Sequence, residues 1–256
     1  MGEGRESVGV TTVDLNADVG EGWDDGPLIG LVTTVHVACG FHAGGPEVMR
    51  RTVQSAVAAG VAVGAHPSYP DRDGFGRRPM DRTAAQVVDD LLYQVGALDG
   101  IARVCGGRVT SVKPHGVLYN RMAVDEDCAA AVAAAVAAYG NDLVLVAPAG
   151  STAVEAARRE GVPVVAEGFC DRGYLADGTL APRSSPGAVV TDPDEAGRRA
   201  VALAVAGRLA AVDGAQVALR CDTLCIHGDT PDAATMAAAV RRALLGAGVG
   251  LAAFTG

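Results

Sequence analysis

Lys113 is the only lysine in the chain, against twenty arginines, and it stands two residues before His115 in the run SVKPHG. Arginine is a planar, permanently charged fork, whereas lysine is a compact ammonium whose pKa burial can lower. A chain that writes its surface cations as Arg has no solubility reason to keep one Lys. Lys113 is therefore either a chance survivor of Arg-rich coding or a group kept for chemistry that Arg cannot perform. The histidines favour chemistry. His42, His66, His115 and His227 fall at or just past the ends of Val-rich runs, and only His36 lies inside one. Imidazole titrates near neutrality, which suits it to proton transfer and to metal ligation. Polar groups gather at the same places: Asp14, Asn16, Asp18 and Glu21 in DLNADVGEG, Glu167 closing VPVVAE, and Asp229 in HGD.

The segments that must position these groups alternate in type. Short Val-rich runs at 9–16, 33–39, 61–66, 109–115, 143–148, 162–167 and 223–229 are separated by Ala-rich stretches that open on Pro, Asp or Ser and close on Gly. Those are helix start and stop signals, and the alternation predicts βα units around a parallel sheet. Seven units favour a seven-stranded parallel (β/α) barrel, with a doubly wound open sheet as the alternative. No linker interrupts the pattern, so residues 1–256 read as one domain with residues 1–10 as an N-terminal extension. In a parallel barrel the strand ends share one rim, and the His, Lys and Glu side chains converge there. Two long segments, 66–82 and 168–192, also follow strand ends, and long ordered loops are commonly functional.

Composition narrows the function classes. A net charge of −9 and a pI near 5.0 argue against nucleic acid as a partner. No apolar run approaches the ~20 residues that span a bilayer, and MGEGRESVGV lacks the apolar core of a signal peptide, which predicts a cytoplasmic protein. The six cysteines form no CxxC pair and read as buried free thiols, with Cys39 beside GFH the one to watch. If a metal is bound, Asp18, His42 and His66 form a carboxylate and two-imidazole set, although no HxxxH or HExxH spacing supports it. Neither GxxxxGK[ST] nor GxSxG is present.

The motifs DLNADVGEG, HVACGFHAGGP, GVAVGAHPSYPDRDGFGRR, SVKPHGVLYN, EGFCDRGYLADGTLAPR and CIHGDTP resemble, in order and spacing, the LamB/YcsF family, from about residue 12 to 245. The resemblance implies a barrel of the glycoside hydrolase/deacetylase type. It also implies the A subunit of a 5-oxoprolinase, an ATP-dependent cyclic amide hydrolase that opens 5-oxo-L-proline to L-glutamate with partner subunits B and C. ATP with Mg would be consumed by the assembly, and no tightly bound cofactor is expected. Lys113, His115, His42, His66, Asp18 and Glu167 would be catalytic. Asn16, Asp71, Arg72, Asn120, Asp171, Arg172, Tyr174, Arg183, His227 and Asp229 would surround the substrate. On that reading Lys113 stabilises charge on a phosphorylated lactam oxygen, a histidine serves as base, and Arg172 or Arg183 clamps the substrate carboxylate. Two positions depart from the family pattern. His36 replaces an Asn, and Gly44-Gly45-Pro46 replaces a GDP triplet, which removes a candidate helix cap at 45. The alternatives are a metal-dependent deacetylase or amidohydrolase acting alone, and a non-catalytic subunit that holds the ligand.

Overall fold

The computed structural model describes residues 11–140, 142–228 and 232–254. The expected N-terminal extension, residues 1–10, and Asp229 lie outside the described residues. Strands β1 (Thr12–Val19), β2 (Thr34–Ala38), β3 (Ala62–His66), β4 (Val109–Val112), β5 (Val144–Pro148) and β6 (Val164–Phe169) pair in sequence order, all parallel. A short antiparallel hairpin, β7 (Arg208–Ala210) and β8 (Gln216–Ala218), precedes β9 (Thr223–Ile226). Strand β9 pairs with both β6 and β1, which closes a seven-stranded parallel barrel, and β10 (Gly250–Leu251) lies along the start of β1.

Parallel neighbours cannot be joined by tight turns, so each connection carries helix. A short α1 (Gly26–Ile29) follows β1. The later crossovers use α2 (Pro46–Ala58), α3 (Ala84–Val104), α4 (Gly116–Met122) with α5 (Glu126–Tyr139), α6 (Thr152–Arg159), α7 (Pro193–Val201) and α8 (Ala233–Gly246). Helices cover the outer face and side chains fill the inner one, so β2, β4 and β9 are buried at every position. That double burial is why the strands read as continuous Val-rich runs. Helix α3 opens with a reciprocal capping box between Thr83 and Gln86.

Two local outcomes differ from the sequence reading. Strand β1 runs three residues further than expected, so Asp18 lies within it rather than beyond it. The alternation of a strand puts Asp14, Asn16 and Asp18 on one face, and that face is the barrel interior. The stretch 192–209 is not one helix: α7 loosens into a π turn over Ala202–Ala206 and stops at Gly207, whose φ of 61° suits a left-handed cap. As the sequence implies, Gly45 caps α2 with no side-chain hydrogen bond.

Candidate active site

Lys113 leaves the end of β4 and turns its side chain into the barrel, where it is 2% exposed. Its Nζ lies 2.9 Å from Asp18 Oδ1, 2.8 Å from Glu167 Oε1, 3.2 Å from Asn16 Oδ1 and 3.1 Å from Cys225 Sγ. Glu167 also accepts from Asn16 Nδ2 at 2.9 Å and from the Tyr119 hydroxyl at 2.5 Å. Burial alone would depress the ammonium, but Asp18, Cys225 and Glu167 outweigh it and hold Lys113 well above the ordinary lysine range. Burial therefore does not neutralise Lys113, and its ammonium is in the form that can stabilise negative charge. Burial likewise opposes ionisation of Asp18, yet His66 and Lys113 hold its carboxyl well below the usual range.

Beside this centre the imidazoles gather. Glu21 follows β1, His42 follows β2, His66 ends β3, and His115 sits two residues past Lys113. His42 Nε2 lies 2.9 Å from Glu21 Oε1, His115 Nδ1 lies 3.3 Å from the same oxygen, and His66 Nε2 lies 3.0 Å from His115 Nδ1. His66 Nε2 also stands 3.4 Å from Asp18 Oδ2. The His42 and His115 rings stack at 3.8 Å. Burial, followed by neighbouring imidazoles, pushes His42 and His115 well below the ordinary histidine range. Burial would do the same to His66, but Asp18 prevails and raises it. The four donors that come together are those of Glu21, His42, His66 and His115, within 4.8 Å of one another. Asp18, expected with His42 and His66 as a ligand set, turns instead between Lys113 and His66.

Above both groups opens a pocket of about 480 Å³. Its floor includes Asp18, Glu21, His66, Lys113, His115 and Glu167; its walls include Tyr119, Asn120, Phe169, Tyr174 and His227; Arg77, Arg172 and Arg183 also line it. His227 donates from Nδ1 to Asp171 Oδ2 at 2.9 Å and stacks on Phe169 at 5.3 Å, which fixes its ring in the wall. The pocket thus joins a buried ammonium and its carboxylate partners to a cationic, partly aromatic wall. Such a site can bind a small anion and stabilise charge developing on an oxygen.

The LamB/YcsF family model matches residues 13–256. The chain belongs to the LamB/YcsF family. The 5-oxoprolinase A subunit of Heliobacterium modesticaldum is 49% identical over 243 residues, covering 93% of this chain and 96% of that protein. Its counterpart from Methylococcus capsulatus is 49% identical over 251 residues, covering 96% of each. The crystal structure of a lactam utilization protein from Thermus thermophilus superimposes with a TM-score of 0.90 at 47% identity, covering 95% of this chain and 100% of that one.

Of the residues the sequence singled out in this LamB/YcsF chain, Asp18, His66, Lys113, His115, Asn120, Glu167, Arg172, Tyr174, Arg183 and His227 line the pocket. His42 lies behind His115, and Asn16 and Asp171 act through Glu167 and His227. Asp71 and Arg72 do not reach the pocket lining. Asp71 is held by Arg78, whose Nε donates at 2.7 Å, while Arg72 donates to the Gly40 and Gly44 carbonyls. Asp71 ties the 66–82 loop to itself, and Arg72 ties it to the segment after β2. Arg172 lines the pocket but gives Nε to Ala188 O at 3.0 Å and Nη2 to Ala181 O at 2.7 Å, so most of its fork is structural. His36 is fully buried and donates to Asn16 Oδ1 at 3.2 Å, so it backs the site without entering it. Cys39 is buried, and that burial pushes its thiol up to about 12. Glu21 and Tyr119 were not among the selected residues. Glu21 stood in the DLNADVGEG cluster, and Tyr119 sits one turn into the helix that SVKPHG opens.

Proposed function

We propose that the chain is the A subunit of a 5-oxoprolinase, and that with B and C subunits in the cytoplasm it hydrolyses 5-oxo-L-proline to L-glutamate at the expense of ATP. The observation that carries this reading is the buried Lys113–Asp18–Glu167 centre at the floor of an arginine-lined pocket, in a chain whose relatives bear that name. A lactam is a planar, resonance-stabilised amide, and opening it is unfavourable. ATP with Mg supplies the drive by phosphorylating the lactam oxygen, after which the ring carbon accepts water.

The chain's own groups divide that work. Arg183 and the wall around it hold the substrate carboxylate, since guanidinium matches carboxylate geometry. The Lys113 ammonium lies under the lactam oxygen and stabilises its growing negative charge. Asp18, ionised and facing His66, takes the proton from water as the O–C bond forms. The nitrogen then takes a proton as the C–N bond breaks and becomes the amine of γ-glutamyl phosphate, from which a second water releases inorganic phosphate and glutamate. Glu167 holds Lys113 in place, and Tyr119 and Asn16 hold Glu167.

The test is glutamate release from 5-oxoproline with Mg-ATP, using the chain alone, the chain with B and C subunits, and that assembly carrying Lys113→Ala. Glutamate from the wild-type assembly alone supports the reading; no glutamate from any folded combination refutes it. Tyr119→Phe gives a finer check. It removes the donor to Glu167 Oε2 and leaves a buried carboxylate oxygen short of a partner, at a cost of about 1–3 kcal/mol. Urea unfolding should show that loss, with turnover reduced and KM for 5-oxoproline little changed.

A further inference from the structure

Hydrogen-bond geometry at the four-residue cluster fixes where two of its protons are. His66 Nδ1 lies 2.6 Å from the Lys113 carbonyl, and His115 Nε2 lies 2.9 Å from the Phe75 carbonyl. A carbonyl only accepts, so each ring must place its proton there. With both rings neutral, the remaining nitrogens, His66 Nε2 and His115 Nδ1, face each other at 3.0 Å as two lone pairs. Glu21 Oε1 adds a third acceptor, 3.3 Å from His115 Nδ1 and 3.8 Å from His66 Nε2. Three buried acceptors pointed at one another repel unless a positive charge lies among them.

We propose that Glu21, His42, His66 and His115 bind one divalent transition-metal ion, of the zinc or cobalt kind. An ion held tetrahedrally at about 2.0–2.1 Å from each ligand sets donor separations of about 3.4 Å. The separations from Glu21 Oε1 to the three imidazoles and between His66 and His115, from 2.9 to 3.8 Å, bracket that value, and all four ligand atoms lie within 4.8 Å of one another. Three imidazoles and one carboxylate suit a borderline ion, whereas Mg²⁺ prefers oxygen ligands and retained water. The ion is therefore distinct from any Mg that accompanies ATP.

The surroundings are those of a metal site. A metal-bound imidazole characteristically gives its other N–H to a carbonyl or carboxylate, which fixes the ring; His66 and His115 both do. The Phe75 carbonyl is delivered by a residue at φ 54°, a conformation that a non-glycine residue keeps only when its surroundings impose it. The Phe75 ring packs edge-on against His42 and His115. His42 is the weakest of the four ligands, because its Nδ1 is buried with no hydrogen-bond partner among the described residues. Asp18, 3.4 Å from His66 Nε2, lies beside the ion rather than among its ligands.

The inference rests on imidazole geometry and holds whatever the pocket's substrate is. The full-length chain, stripped with chelator and dialysed, is titrated with Co(II), and visible d–d absorption is followed. One Co(II) per chain is expected. Glu21→Gln and His115→Ala should each weaken binding by about 100-fold or more, beyond the range for losing an outer partner, and His42→Ala should weaken it least. Glu21→Gln changes no volume, so it tests the site even if a histidine variant fails to fold. His227→Ala, outside the cluster, should bind normally. A folded wild-type chain that takes up no Co(II) would overturn the proposal and assign the central charge to a proton. Stoichiometric binding that survives Glu21→Gln and His115→Ala would overturn it as well.

Discussion

Lys113→Met should unfold at markedly lower urea and lose turnover almost entirely. Methionine fills a similar volume but leaves Asp18 and Glu167 buried with no counter-charge, each having stood within 2.9 Å of the ammonium. Removing one member of a buried ionic group costs about 3–5 kcal/mol, because the partners keep their desolvation and lose their attraction. Turnover of the assembled enzyme should fall by a further factor on the order of 10²–10³, the usual cost of losing a preorganised group at a developing oxyanion. Lys113→Arg separates charge from shape. A planar fork cannot occupy the point between Asp18, Glu167, Asn16 and Cys225, so this variant should also fail, with a smaller stability loss. Full activity in Lys113→Arg would remove the special role of the lone lysine.

Gly116→Ala is the second large effect, and it acts through the backbone. Gly116 has φ 62°, and a Cβ there would overlap the Gly76 carbonyl oxygen. Left-handed backbone costs a non-glycine residue about 1–2 kcal/mol, and the overlap cannot be relieved by rotating a side chain. Overpacking of this kind adds about 1–3 kcal/mol, so a loss of about 3 kcal/mol is expected in urea unfolding. The strain falls between His115 and the loop that delivers the Phe75 carbonyl, so Co(II) binding should suffer with stability. Gly30→Ala is the matched control: its φ is −71° with nothing within 4 Å, and its stability should stay within about 0.5 kcal/mol of wild type. If the two variants melt alike, the close approach of Gly116 to Gly76 carries no energetic weight.

The barrel and the rim were legible because local pattern dictates them. Seven doubly buried strands must be continuous apolar runs, and parallel strands must end on one side, so His66, Lys113 and His115 could be placed together from the sequence. The charged loops were not legible in this way. In 66–82, Asp71 and Arg72 have the same composition as ligand-binding residues, and only the fold shows that Arg78 and two carbonyls absorb them. Glu21 and Tyr119 were passed over for the opposite reason, since each matters only through a partner distant in sequence, His42 for one and Glu167 for the other. The break at Gly207 escaped because the Ala-rich run before it satisfies helix periodicity. The expectation for Asp229 concerns a residue outside the described structure, and no membrane-crossing helix exists among the described residues.

The loop after β6 is fastened by guanidinium groups on main-chain oxygens: Arg172 holds Ala181 and Ala188, and Arg199 holds Cys170 and Arg172 itself. Every amino acid supplies a carbonyl, so these fastenings are indifferent to the side chains they secure. Residues 175–187 can therefore drift while the frame that carries them stays put. Ligand preference can diverge among descendants of such a barrel by changing the letters of one loop, without any redesign of the scaffold beneath it.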